Sequence, residues 1–204
     1  MKLYGSLTSP YVRKVRMVLM EKNLACDMVV EGPADAAGNV VRLNPLRAIP
    51  VLERDDGEVF FDSPMICEYL DSLNDKPRLY PASGEARWQA LRWHALGQGM
   101  MEATVARFVE RRKPAEKQDA AAVAKHEARI AAALAFAAAR VPASGFLSGE
   151  SIGIADIALG AALGYIDLRY AHDWRGQHPK LKDWFAPIGQ RRSLVETLAP
   201  ELKK

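Results

Sequence analysis

Residues 44–64 read Asn-Pro-Leu-Arg-Ala-Ile-Pro-Val-Leu-Glu-Arg-Asp-Asp-Gly-Glu-Val-Phe-Phe-Asp-Ser-Pro, and their punctuation decides the fold. Two apolar runs, Val51-Leu52 and Val59-Phe60-Phe61, flank Asp56-Gly57, a pair that favours the positive φ of a tight turn, so an antiparallel hairpin is expected. Ser63-Pro64 places an N-cap and a first helical residue directly after it, and Ile66, Tyr69, Leu70 and Leu73 then make one apolar helical face. Upstream, Asn44-Pro45 is a breaker, and Pro50 stands immediately before the first strand of the hairpin.

Towards the N-terminus, residues 2–6 read as a short strand, and Tyr11, Val15, Val18 and Leu19 recur at helical spacing through Met20. Residues 28–30 are a candidate second strand, and residues 35–43 a weak, irregular helix before the breaker. The order is β-α-β-α-β-β-α. Residues 74–84 hold two prolines, a serine and a glycine with little periodicity, and everything beyond them looks helical. Helices are expected over residues 85–112, 119–141, 154–168 and 181–190, the first two ended by Pro114 and Pro142. Ile130, Leu134, Ala137 and Val141 line one face of the second, and Ile154, Ile157, Ala158, Ala161 and Tyr165 one face of the third, which asks for a helical bundle. The reading is therefore a two-domain chain, α/β over residues 1–77 and all-α over residues 85–204, with 78–84 as linker.

Composition excludes several classes. A length of 204 residues with 49% hydrophobic and 26% charged content is ordinary for a globular protein, and the longest apolar stretch, residues 130–139, is mostly alanine and far too short to span a bilayer. No membrane segment and no secretory signal are expected, which points to the cytoplasm. Cys26 and Cys67 form no CxxC pair and read as buried free thiols, and the four histidines show no metal-ligand spacing, so no metal is expected. The net charge of +3 is spread along the chain, with no basic block to track a phosphate backbone; nucleic acid is not an expected partner.

Three short motifs could carry chemistry. Thr8-Ser9-Pro10-Tyr11 joins the first strand to its helix, where unpaired backbone N–H groups and the positive end of a helix dipole welcome an anion; alone, it is no more than a Ser cap with Pro at the first helical position. Ile49-Pro50 precedes a strand, and the generic expectation for an X-Pro bond is trans, since only about 5–6% are cis. Phe61-Asp62-Ser63-Pro64 sets a carboxylate and a hydroxyl at another helix start, able to hold both an ammonium and a carboxylate.

Together, in this order and ahead of a helical domain, these motifs resemble the glutathione S-transferase superfamily over nearly the whole chain, and the Thr-Ser-Pro-Tyr-Val-Arg-Lys-Val-Arg start is similar to serine-type members, especially small bacterial ones and plant tau enzymes. The resemblance implies a thioredoxin-like βαβαββα domain followed by a C-terminal helical bundle, glutathione as co-substrate and a homodimer. It implies that Pro50 is cis and, with Ile49, presents the Val51 backbone to the cysteinyl part of glutathione. Asp62 and Ser63 would bind the γ-glutamyl end, and a hydroxyl matching Ser9 would hold the sulfur. Thr8 is the alternative, because in some serine-type enzymes the active hydroxyl lies one residue earlier, and Tyr4 is a third candidate.

The sequence departs from the family pattern at three places. Arg47 and Ala48 stand where the loop before the cis-proline reads Gly-Lys or Gly-Gln, so Arg47 is a candidate for the glycyl carboxylate. Asp62 replaces the commoner Glu. Gly153 removes the hydroxyl half of the Ser/Thr-x-x-Asp capping box ahead of Asp156. The family's hydrophobic substrate site lies between the domains, and Leu7, Tyr11, Met101, Thr104, Phe108 and Tyr165 are its candidates here, each also readable as plain core. The Arg111-Arg112-Lys113 run reads as a solvated helix end. The expected activity is addition of glutathione to a hydrophobic electrophile. The alternatives are glutathione-dependent disulfide or peroxide reduction, or a non-catalytic stress or interaction protein on the same fold.

Overall fold

The structure is a computed structural model describing residues 1–33, 35 and 37–202. The chain divides into two compact units, one of Met1–Ala82 joined by the segment from Arg192 onward, the other Ser83–Arg191.

In the first unit β1 (Lys2–Gly5), α1 (Pro10–Glu21), β2 (Asp27–Val30), α2 (Asn39–Leu43), β3 (Val51–Glu53), β4 (Val59–Phe60) and α3 (Ser63–Ser72) follow the expected order. The strands lie as β2-β1-β3-β4, with β1 parallel to β2 and antiparallel to β3. Tyr4 stands opposite Val51, and Leu52 opposite Phe60 in the hairpin, whose Gly57 has φ of 86°. This is a thioredoxin-like sheet. Tyr4, Val40 and Val51 pack together on one face, and α3 packs against α1. A Cβ at Gly5 would overlap the Val12 side chain, so only glycine lets α1 start this close to the end of β1.

Several boundaries differ from the sequence reading for local physical reasons. The helix expected over 35–43 is Asn39–Leu43 among the described residues, Ala36 lying outside them; the Glu31 carboxylate accepts the Val40 N–H at 3.0 Å and fixes its first turn. The cap of α3 is Asp62 rather than Ser63, because the Asp62 carboxylate accepts the Ser63 N–H and leaves Ser63 as the first helical residue.

The second unit is helical: α4 (Gly84–Arg111), a 3-10 turn (Ala115–Lys117), α5 (Ala120–Arg140), α6 (Ile154–Arg169), α7 (Trp174–Gln177) and α8 (Pro179–Gly189). The central helix α6 is buried from Ile154 to Ile166, and α4 comes so close to it that a Cβ on Gly97 would meet the Ala158 carbonyl at 2.7 Å. Asp156 keeps the surviving half of the capping box, accepting the Gly153 N–H at 2.9 Å and also the Leu147 N–H at 2.7 Å.

The C-terminal segment, grouped with the helical domain by sequence, belongs to the first unit. Its α9 (Arg192–Glu196) is held to α1 by Arg13, a buried side chain whose guanidinium donates to the Leu194 carbonyl at 3.0 Å and to Thr197 Oγ1 at 3.4 Å. Ser193 Oγ adds a hydrogen bond to Glu21. Among the described residues no helix is long and apolar enough to cross a membrane.

Candidate active site

Strand directions bring the three motifs to one end of the sheet. β3 runs antiparallel to β1, so the start of β3 lies beside the end of β1, and β4 returns in the direction of β1 to deliver the start of α3 to that same end. The loop after β1 holds Thr8 and Ser9, Ile49-Pro50 leads into β3, and Asp62-Ser63 opens α3.

Ser9 is the N-cap of α1, with Pro10 behind it. Its Oγ accepts the Val12 N–H at a long 3.4 Å, and its own proton stays available for donation. Thr8 is differently placed. Its Oγ1 lies 3.0 Å from Ser6 Oγ, which also accepts the Thr8 N–H at 3.3 Å, so the Thr8 hydroxyl is tied into the turn that shapes the loop. The Tyr4 hydroxyl donates to Glu53 Oε2 at 2.5 Å, and burial together with that hydrogen bond pushes its pKa up to about 12. Tyr4 is thereby a core residue of the sheet.

The Ile49-Pro50 bond is cis. The loop before it is shaped by Asn44, only 1% exposed, whose Oδ1 accepts the Leu46 N–H at 2.9 Å while its Nδ2 donates to the Ala48 carbonyl at 2.8 Å. This clamp places Arg47 at φ of 51°, the left-handed conformation that glycine adopts without cost. The Arg47 side chain is exposed. The β3–β4 ladder ends at Leu52 and Phe60, one residue short of Val51.

At the start of α3, Ser63 is fully buried, and its Oγ has no hydrogen-bond partner among the described residues. A buried hydroxyl without a hydrogen bond costs on the order of 1–3 kcal/mol, which makes Ser63 Oγ a candidate binding group at the start of α3. Behind it on the same helix Cys67 is buried and its thiol is pushed up to about 11 by burial, Lys14 opposing and Asp62 adding to the shift. Cys26, likewise pushed up to about 11 by burial, is no better a nucleophile.

Of the remaining candidates, Leu7 and Tyr11 are half-buried in the first unit. In the second, Met101 and Thr104 are buried on α4, Thr104 Oγ1 donating to the Met100 carbonyl at 2.8 Å, while Phe108 is half-buried and Tyr165 on α6 is 7% exposed. Among the described residues no cluster of His, Cys, Asp or Glu could hold a metal ion. Ser6 was not singled out by sequence, and Asn44 was read only as part of a breaker, not as the side chain that clamps the loop. For Asn44 a signal existed, since Asn before Pro initiates turns, but nothing distinguished Ser6 from any other loop serine.

A thioredoxin-like domain carrying a cis-proline before β3, followed by a helical domain, defines the class of protein. The sequence matches the family descriptions "Glutathione S-transferase, N-terminal domain" over residues 3–78 and "Glutathione S-transferase, C-terminal domain" over residues 120–186. It is 32% identical over 202 residues to the uncharacterized GST-like protein YibF of Escherichia coli K12, covering 98% of this chain and 100% of that one. A glutathione S-transferase structure from Methylobacillus flagellatus KT with glutathione bound is 40% identical, with a TM-score of 0.92 over 96% of this chain and 98% of that one. A glutathione transferase family member from Pseudomonas fluorescens Pf-5 with bound S-(propanoic acid)-glutathione is 34% identical, with a TM-score of 0.87 over 98% and 100%. The chain belongs to the glutathione S-transferase family.

Proposed function

We propose that this chain is a glutathione transferase in which the Ser9 hydroxyl donates to the sulfur of glutathione and holds it as the thiolate. The orphaned, fully buried Oγ of Ser63 carries this reading, for it lies at the helix start that Asp62 caps and suits the α-carboxylate of a γ-glutamyl group, with Asp62 facing its ammonium. The edge of β3 beside Val51 is left open by the short ladder and suits a main-chain pairing with the cysteinyl residue. The M. flagellatus relative, crystallised with glutathione, supports the same ligand here.

A free thiol with pKa near 8.5 is only about 3% thiolate at pH 7, and the thiolate is the nucleophile. Lowering that pKa by about two units requires roughly 2.7 kcal/mol, within reach of one hydrogen bond to a charged sulfur plus the dipole at the start of α1. The thiol proton goes to solvent, the thiolate forms a C–S bond, and the leaving group departs with its electron pair; an activated alkene instead takes a proton from water. Ser9 is favoured over Thr8 because its proton faces no partner in the loop, whereas the Thr8 hydroxyl is paired with Ser6. Thiol exchange through a protein cysteine finds no support in Cys26 or Cys67, both of whose thiol pKa values are raised.

Calorimetric titration with glutathione at neutral pH, repeated in buffers of different ionisation enthalpy, is expected to show binding with proton release in the wild type and binding without it in Ser9→Ala. Unchanged proton release in that variant would transfer the role to Thr8, and absence of binding would turn the reading to a non-catalytic partner.

Arg47 is assigned to the glycyl carboxylate. A non-glycine residue in the left-handed region costs about 1 kcal/mol, and an exposed loop charge would have no reason to bear it. Arg47→Gly is expected to raise the unfolding free energy by about 0.5–1 kcal/mol while weakening glutathione several-fold. Thermal unfolding beside the titration reads both, and an affinity equal to wild type would reduce Arg47 to a surface charge.

A further inference from the structure

Within the first unit, α9 packs against α1 through a seam that is polar although it is buried: Arg13 is 7% exposed, Ser193 3%, and Thr197 not at all. The Arg13 guanidinium reaches the Leu194 carbonyl and Thr197 Oγ1, Thr197 Oγ1 donates in turn to the Ser193 carbonyl at 2.6 Å, and Ser193 Oγ bonds Glu21, the last residue of α1. Apolar side chains would hold a five-residue helix in place with no charge to desolvate, whereas a buried guanidinium is costly unless its donors are placed. What such a group adds is register, because its planar fork meets its acceptors at one setting of the two helices while an apolar contact tolerates sliding.

Arg13 stands one turn beyond Ser9. Its N–H donates to the Ser9 carbonyl at 3.0 Å, beside the Val12 N–H that donates to Ser9 Oγ. We propose that Arg13 is a positioning residue, through which the C-terminal segment sets the Ser9 hydroxyl where it favours the glutathione thiolate; the inference rests on the reading of Ser9 as donor to the sulfur. A hydrogen bond weakens steeply with angle and distance, so a donor at a helix start works only if that helix is fixed both along and about its axis. The close approach of Val12 to Gly5 holds one face of α1 against the end of β1, and Lys22 holds its far end. Arg13 lies about 100° round the helix from Val12, and a second face held there stops α1 from turning.

The test uses Arg13→Lys, which keeps the charge but not the fork, and Thr197→Val, which takes one acceptor from Arg13 and leaves its bond to the Leu194 carbonyl. Thr197→Val retains the test if Arg13→Lys folds poorly. Each protein is titrated with glutathione across a range of pH, following proton release, and with S-methylglutathione, which has no thiol proton to lose. Both variants are expected to bind S-methylglutathione within about twofold of wild type, while ionisation of the bound glutathione thiol moves about one pH unit higher. A thiol that ionises at the wild-type pH in both variants overturns the proposal and leaves α9 a prop of the fold. Equal loss of affinity for the two ligands overturns it as well, since damage to the whole site does not single out the sulfur. Binding of glutathione by wild type without proton release sinks the reading of Ser9 and this proposal with it, leaving a glutathione site; no binding by wild type sinks the glutathione reading itself.

Discussion

Lys22→Met is expected to destabilise the protein by about 3–5 kcal/mol, the range found when one partner of a buried ion pair is removed. Lys22 is fully buried in side chain, and its Nζ reaches the Asp71 carboxylate at 2.8 Å, the Asp71 carbonyl at 3.0 Å, and the Asn74 and Pro77 carbonyls at 2.7 Å each. The Asp71 carboxylate is in turn fixed by the Leu79 N–H at 2.8 Å and the Tyr80 N–H at 3.0 Å. One ammonium therefore ties the end of α1, the end of α3 and the segment 74–80 into a single polar knot. Methionine matches the volume of the aliphatic stem but leaves a buried carboxylate and three carbonyls without their donor. The Asp71→Asn change on top of Lys22→Met should recover only part of the loss, because it removes the stranded charge without returning a donor to the Asn74 and Pro77 carbonyls. Chemical denaturation of the three proteins reads this directly, and a loss below about 1 kcal/mol for Lys22→Met would mean that the loop rearranges and the knot is incidental.

Lys22 also marks where sequence reading stops. A lysine after a helical run looks like a solvated end, and its partners come from residues 49 to 55 positions further along the chain. The same holds for Arg13, whose burial against residues 194 and 197 moves the C-terminus from the helical unit to the first one. Local punctuation was legible, because Asp56-Gly57 at a hairpin and Asn44-Pro45 before a turn carry their conformational preference in their own chemistry. Long-range partners have no such signature. The short helices α7 and α9 were invisible for a related reason: four and five residues are too few to show a period, and tertiary contacts fix them. At the candidate site, sequence supplied the residue types at 9, 50 and 62–63, while the orphaned state of Ser63 Oγ and the left-handed backbone of Arg47 are properties of packing alone.

That orphaned hydroxyl makes the second large effect separable from simple damage to the fold. Asp62→Ala with Ser63→Ala is expected to lower glutathione affinity by at least about 100-fold, since two hydrogen bonds to charged groups, each on the order of 1.5–3 kcal/mol, are lost at once. The single variants should part company in stability. Asp62→Ala removes the cap of α3 and is expected to cost about 1 kcal/mol. Ser63→Ala removes a buried hydroxyl that the free protein leaves without a partner, so the unliganded variant should be as stable as wild type or more so, while still binding glutathione at least about tenfold more weakly. A residue kept only for the fold behaves in the opposite way, losing stability when truncated. Denaturation of the unliganded proteins beside calorimetric titration with glutathione distinguishes the two, and a Ser63→Ala variant that is destabilised yet binds glutathione normally would remove the buried serine from the site.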